Sequence, residues 1–408
     1  MIYNLIQKYL SVLFAFFNMF LIIQYLDIEY LGFYAFLTAS GTVYSVFVTA
    51  GIRSIYLRET VKYRENLEAQ QVFSVFAEIM TKATGLITCV VFFSFAALFS
   101  FYTKDAITVA LIGTFLASAQ LTSQKVRSHG LNTLSQIILN VRPIIFTILL
   151  LFFLGVLGKE ALQNHFRALV IISFFLPAIL AYAFWIARYH KFVFVKVALN
   201  DLGHKAKSLV KEMPGLFMLA FGQKAISQSD LIFVNALLGL DAAGIYRLVT
   251  QIVTTANESL FAIRSKFVRK YSQLIIKHRT KEAKKILRQV AKIGMALYIV
   301  ILFFFLIVLY RTPYLNDIKY LQDFYVSLAI MAVTGLVKAV TPMIDNYIVF
   351  SNKTNKGGLI QLGVFVCNTI LLLVLVSFFG LPGASIATLL TILLWRLTVK
   401  HILLRRQK

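Results

Sequence analysis

Five basic side chains stand inside long apolar runs of this 408-residue sequence: Lys82, Arg142, Lys224, Arg247 and Lys338. A charge at the centre of a bilayer costs roughly 2.5–3.5 kcal/mol even on insertion scales, so such a residue faces a cavity or a partner. Lys224 is about ten residues into its run, hence ~15 Å deep at 1.5 Å per residue. Asp230, six residues further on, lies ~120° around the helix, so the two do not neutralise each other within it. Arg142 lies at similar depth, beside Asn140 and just before Pro143. Lys338 stands about one turn before Pro342 and two before Asp345. Three cations from three runs, with fewer acids near them, read as a cationic cavity. A phosphate or diphosphate suits such a cavity, with Arg binding as a fork and Lys as a point charge. Arg247 is a fourth candidate for the same anionic group. Asp230 and Glu258 are candidates for coupling to a proton or sodium ion.

Each of these residues also has a plainer reading. Lys82 and Arg247 lie near helix ends and can snorkel to the interface. Lys224 can pair with Glu258 or another acid, Lys338 with Asp345, and Arg142 can pack beside a proline kink. Asp230 and Glu258 can make structural hydrogen bonds. Pro143, Pro177 and Pro342 are either hinges or tolerated kinks, since neighbouring groups in a bundle re-satisfy the freed backbone.

The elements that hold these residues follow from the apolar pattern. The chain is 59% hydrophobic and 14% charged, which excludes an ordinary soluble domain and a disordered one. Runs of about 18 or more mostly apolar residues, long enough to cross a ~30 Å core, fall near 5–25, 30–52, 72–100, 106–122, 134–157, 166–187, 214–238, 242–263, 292–310, 323–350, 358–379 and 383–400. Twelve spans result. The first lacks a charged leader and an A-x-A site, so it reads as an uncleaved span. Cys89 and Cys367 both lie inside spans and read as core filling, with no disulfide or metal framework.

Charge placement sets the orientation. With both termini in the cytoplasm, inside segments hold 31 of the 41 Lys/Arg and outside loops hold five: Lys104, Lys159, Arg167, Arg311 and Lys319. That asymmetry is the positive-inside pattern of a multi-pass plasma-membrane protein. The net charge of +24 is then a topology signal that favours anionic membrane lipids as neighbours, and no nucleic-acid partner is expected. Around 275–290, Ile275, Ile276, Ala283, Ile286, Leu287 and Val290 recur near helical spacing between lysines, which reads as an amphipathic surface helix.

The outside connections are short, and no segment is long enough for a separate catalytic domain. The sequence carries no phosphate loop, H-E-x-x-H or G-x-S-x-G, and its six histidines are scattered. No enzyme activity and no cofactor are expected.

The chain also repeats itself. Gly32-Phe33-Tyr34-Ala35-Phe36-Leu37-Thr38 opens the second span, and Gly244-Ile245-Tyr246-Arg247-Leu248-Val249-Thr250 opens the eighth. A fainter echo links Asn140 in the fifth span with Asn368 in the eleventh. The pattern is a six-plus-six duplication with parallel halves, residues 1–200 and 201–408, joined in the basic stretch near 188–213.

Phe379-Gly380-Leu381-Pro382-Gly383-Ala384-Ser385-Ile386-Ala387-Thr388 resembles the F-G-x-x-G-A-A-I-A-T segment before the last span of Wzx-type polysaccharide flippases, with Ser385 in place of the second alanine. Asp230 followed by Gly244-Ile245-Tyr246 is similar to the D…G-x-Y stretch of that family. Ser351-Asn352-Lys353 with Asn368 is similar to its short basic loop and the Asn of span eleven. The family belongs to the superfamily that also holds the lipid II flippase and the multidrug/toxic-compound extruders. The resemblance implies an all-α integral membrane protein, about twelve helices in two six-helix lobes around a central cavity. It also implies movement of an undecaprenyl-diphosphate-linked oligosaccharide from the inner to the outer leaflet of the bacterial plasma membrane, with polysaccharide polymerase machinery as a partner. A cation-coupled exporter of drugs or metabolites on the same fold is the alternative; it wants carboxylates in the cavity, whereas this interior leans positive.

Overall fold

The computed structural model describes residues 2–53, 55–56, 67–98, 103–128, 131–189, 199–276, 279–310, 321–341 and 354–399. Within them every apolar run falls on a helix. The first four spans are the helices Ile2–Tyr25, Ile28–Thr49, Leu67–Leu98 and Thr103–Ser128. Span five is broken into Asn132–Asn140 and Arg142–Phe152, and then loosens into a π turn, Phe153–Leu157. Spans six to ten are Gly158–Tyr189, Leu199–Leu238, Leu240–Ile276, Thr280–Tyr310 and Leu321–Val340. Spans eleven and twelve share the stretch Thr354–Thr398, which breaks at Gly380. The part of span ten beyond residue 341, with Pro342 and Asp345, and the Ser351–Lys353 loop lie outside the described residues.

Many large apolar side chains remain outside: Leu13, Leu86, Phe303 and Phe378 are all more than 60% exposed. In water such a surface would be an aggregation hazard; against lipid tails it is the normal outer face of a spanning bundle. The protein is a multi-pass, all-α membrane protein. Cys367 belongs to this outer surface, correcting its assignment as core filling, while Cys89 is half-buried.

The described residues form two compact units, Met1–Asp27 with Phe36–Lys224, and Ile28–Ala35 with Ala225–Lys408. The boundary falls inside the helix Leu199–Leu238, so this element contributes to both.

The duplication is visible in backbone detail. Spans one and two are joined at Asp27, with φ 150°, and spans seven and eight at Gly239, with φ 91°. Each stands five residues before its motif glycine. These glycines, Gly32 and Gly244, lie in the second unit and pack against one another. A Cβ on Gly32 would overlap the carbonyl of Leu240, and one on Gly244 would overlap the carbonyl of Ile28. Gly380 serves a different need: at φ 60° and ψ −136° it takes a backbone shape that an L side chain resists. The sharp reversal lets the eleventh and twelfth spans form from a nearly continuous apolar run.

Polar bonds between helices repeat as well. In the first unit Asn18 of span one donates to the Pro143 carbonyl at 2.8 Å and accepts from Thr147 at 2.7 Å. Thr147 also reaches the Pro143 carbonyl at 2.8 Å, so its single hydrogen serves one acceptor at a time. In the second unit Asn368 of span eleven donates to Ser229 of span seven at 2.8 Å and accepts from Thr391 at 2.7 Å. First bonds to fifth as seventh bonds to eleventh. The spatial counterpart of Asn368 is thus Thr147; Asn140 instead donates to Gln136 of its own helix, at 3.5 Å. Interhelical bonds in membranes average about 0.6 kcal/mol and reach about 1.7. Asn18→Ala breaks two at once beside a proline break. It should lower stability by ~1–2 kcal/mol, read as a lowered unfolding midpoint in detergent, while Lys281→Ala at an exposed position should leave the midpoint unmoved.

The amphipathic stretch near 275–290 has a different role from the one its periodicity suggests. Ala283, Ile286 and Val290 are buried against Tyr271 and Leu274 of the preceding helix, with Phe267 and Leu287 alongside. The apolar face of the second helix packs into a helical hairpin, and Lys281, Lys284 and Lys285 are left facing out.

Candidate functional site

Asp230 is the carboxylate around which the second unit's polar residues gather. It follows Ser229 in the last quarter of a 40-residue helix and is buried. One oxygen accepts from the Leu231 amide at 2.8 Å, and the other from the Tyr246 hydroxyl at 3.2 Å. Tyr246 is the tyrosine of the second G-x-Y motif and is fully buried, with Met331 Sδ 3.9 Å from its oxygen. Ser385 and Thr388 of span twelve flank the same hydroxyl. Two cations act on the carboxylate electrostatically: Lys338 from span ten and Arg247 from span eight.

The fold therefore brings three of the residues singled out by the sequence, Asp230, Arg247 and Lys338, to one place. Small residues are buried on the elements around this place, Ala242 and Ala243 on span eight and Ala384 and Ala387 on span twelve, and small residues allow close approach of helices in lipid. The trio carries one negative and two positive charges. A buried charge is better tolerated where opposite charges act on it. Arg247 is half-buried in this group, so its position near a helix start does not make it a snorkelling residue alone.

The remaining candidates are elsewhere. Arg142 is the first residue of the second half of the broken fifth span, and its guanidinium lies 4.3 Å from the centre of the Phe174 ring in span six. That is a cation–π packing contact. Lys224 is exposed, in the same helix as Asp230 but the last residue of the first unit. Glu258 is half-buried eleven residues beyond Arg247 on their common helix, ~16 Å along its axis. Lys82 is exposed on span three. Among the described residues, no three His, Cys, Asp or Glu side chains converge as a metal site.

The first unit holds polar clusters that spacing alone did not reveal. Lys125, fully buried at the end of span four, forms an ion pair with Glu78 of span three and lies 5.4 Å from the Trp185 ring centre. Arg53, just past span two, faces two glutamines one helical turn apart on span four. Its Nη1 donates to Gln120 at 3.4 Å. With the Gln124 amide oxygen turned towards it, Nε and Nη2 donate at 3.0 and 3.2 Å. Q-x-x-x-Q-K in 120–125 was the available sequence signal, since i and i+4 share a helix face. A further pair, Arg167 and Asp105 at 2.6 Å, ties span six to the start of span four, so this outside cation lies within a helix.

Comparison with known proteins places this architecture. Residues 1–267 match the family model described as polysaccharide biosynthesis protein. The chain belongs to that family. No curated protein matches its sequence. Among solved structures, it is similar to an inward-facing multidrug resistance MATE family transporter of the MOP superfamily. That likeness has a TM-score of 0.67 and 12% identity, covering 100% of this chain and 99% of the other. It is also similar to the MATE multidrug transporter DinF-BH, with a TM-score of 0.63, 16% identity and coverage of 100% and 94%. An outward-facing MATE transporter gives 0.59, 12%, 97% and 93%. At these identities the likeness is one of fold. Family and fold together agree with the Wzx-type resemblance of the C-terminal motifs: a polysaccharide-biosynthesis chain with the fold of MOP-superfamily transporters.

Proposed function

We propose that this protein is a non-enzymatic flippase. It carries an undecaprenyl-diphosphate-linked oligosaccharide repeat unit from the cytoplasmic to the outer leaflet of the bacterial plasma membrane. The observation that carries the reading is the surplus of positive charge within the spans: Lys338 and Arg247 around a single buried carboxylate, with Lys224 and Arg142 further along the chain. Membership of a polysaccharide biosynthesis family supports the saccharide, and the cations support the diphosphate.

In this mechanism both termini are cytoplasmic, and the two six-span halves, 1–200 and 201–408, alternate access to a shared path. Lys224, Lys338, Arg247 and Arg142 hold the headgroup phosphates while the polyprenyl tail stays in lipid. Attraction between cations and phosphate lowers the cost of taking that headgroup through low dielectric. Asp230 and Glu258 are the groups through which an ion gradient would act. Released repeat units pass to the polymerase machinery.

Lys224→Ala tests the reading. It should abolish complementation of a flippase-deficient strain, at least tenfold in surface polymer, with membrane expression unchanged. Normal surface polymer from that variant would remove Lys224 from the path. Efflux-dependent drug resistance conferred by the wild-type chain, without any effect on polymer, would instead support the cation-coupled exporter.

A further inference from the structure

We infer that Arg53 and Arg127 form a binding subsite for a lipid phosphate group at the basic end of the first unit. The inference deepens the flippase reading and rests on it for the orientation that makes this end cytoplasmic.

Arg53 and Arg127 come from different helices, and the fold brings them close enough for their charges to repel. Among the described residues, neither makes an ion pair. Arg53 is anchored by apolar neighbours of its own segment: Ile52, Ile55 and Tyr56 are buried in a cluster with Phe73, Phe76 and Leu121. Its guanidinium is then held by the neutral amides of Gln120 and Gln124. The two amides fix the orientation of the guanidinium without neutralising it. A carboxylate at either position would have cancelled the charge; Glu78 of span three is taken up by buried Lys125.

The result is an oriented, half-buried guanidinium beside an exposed one. Two guanidinium groups whose charges act on each other in a partly desolvated place are unfavourable alone and favourable around an anion with several oxygens. Arg53 retains N–H groups beyond those given to the glutamines, because guanidinium carries five. A phosphate can accept from these in the forked geometry that Arg offers and Lys does not. The ligand comes from lipid because the neighbouring outer face is apolar: Ile79 and Leu86 of span three, beside and beyond the Glu78 that pairs with Lys125, are both exposed. Two phosphates are available there: the diphosphate of the polyprenyl carrier and the phosphodiester of an anionic phospholipid.

The test is native mass spectrometry of the full chain in detergent, titrated separately with undecaprenyl diphosphate and with phosphatidylglycerol. The variants are Arg53→Gln, Arg127→Gln and Arg53→Lys, with Lys281→Gln, an exposed cation of the hairpin, as control. Arg53→Gln and Arg127→Gln should each weaken binding at least tenfold, Arg53→Lys less, and Lys281→Gln not at all. A loss confined to undecaprenyl diphosphate assigns the subsite to the carrier; an equal loss for both lipids assigns it to lipid phosphate in general. Wild-type affinity for both lipids in Arg53→Gln and Arg127→Gln overturns the subsite and leaves the flippase reading standing. Failure of the wild-type chain to bind undecaprenyl diphosphate, with phosphatidylglycerol bound through the arginines, overturns the flippase reading and leaves the subsite standing.

Discussion

Gly32→Ala should cost this protein most of its activity, although it adds a single methyl group. The new Cβ would overlap the carbonyl of Leu240, and Gly244 stands directly beyond it. A side chain can rotate away from such a clash; a helix backbone cannot, so the starts of spans two and eight must separate. Overpacking a core typically costs about 1–3 kcal/mol, and a backbone obstacle puts this site at the upper end. We expect an unfolding midpoint several degrees lower and at least a tenfold loss of surface polymer in complementation. Gly244→Ala should behave alike, because its Cβ meets the Ile28 carbonyl across the same contact. The double variant should be much less than additive, since the first substitution already opens the contact the second needs. Gly155→Ala is the control, having open space around its Cβ. A Gly32→Ala protein as stable and active as wild type would show that the two motifs do not need this approach.

The second large effect is expected at Asp230. Asp230→Asn keeps the shape and the Tyr246 contact but leaves Arg247 and Lys338 facing a neutral group. Disturbing the two hydrogen bonds that the buried carboxylate accepts and its attraction to two cations costs about 1–3 kcal/mol, so the single variant should be less stable and inactive. Asp230→Asn with Lys338→Met removes opposite charges together, and such replacements are often neutral. The double variant should regain the unfolding midpoint. Its transport decides what Lys338 does: polymer that stays lost, in a stable protein, assigns Lys338 to the headgroup. Restored polymer would reduce Lys338 to a structural counter-ion of Asp230.

The spans were legible because lipid makes hydrophobicity a direct readout of burial depth, and within the described residues all twelve runs fall on helices. The G-x-Y duplication was legible for a packing reason now visible: each glycine is needed where backbone meets backbone. The turn before each motif was harder, because its positive φ is carried by Asp27 in one half and Gly239 in the other. Fourteen residues before each motif glycine stand Asn18 and Asp230. Both are buried and bonded across helices, yet one is neutral and one charged, so identity could not reveal the equivalence.

Candidate site residues were found by one rule, charge inside an apolar run. That rule found Asp230, Arg247 and Lys338 but could not say that they share a place, because Lys338 comes from a helix 108 residues beyond Asp230. It also overlooked Arg53, which lies just past a span and looks like any other basic loop residue. Its distinguishing feature is the pair of glutamines on span four, and a neutral partner leaves no charge pattern to read. The helix near 275–290 misled for the opposite reason: periodicity shows that a face is buried and not what covers it, which here is the neighbouring helix.

The most direct test of the central claim is the leaflet distribution of polyprenyl-diphosphate oligosaccharides in cells with and without this protein. The flippase account predicts that completed repeat units accumulate on the cytoplasmic leaflet when it is removed, with glycosyl transfer intact and surface polymer lost. An unchanged distribution and unchanged surface polymer would contradict it, and the cations of the spans would then be structural.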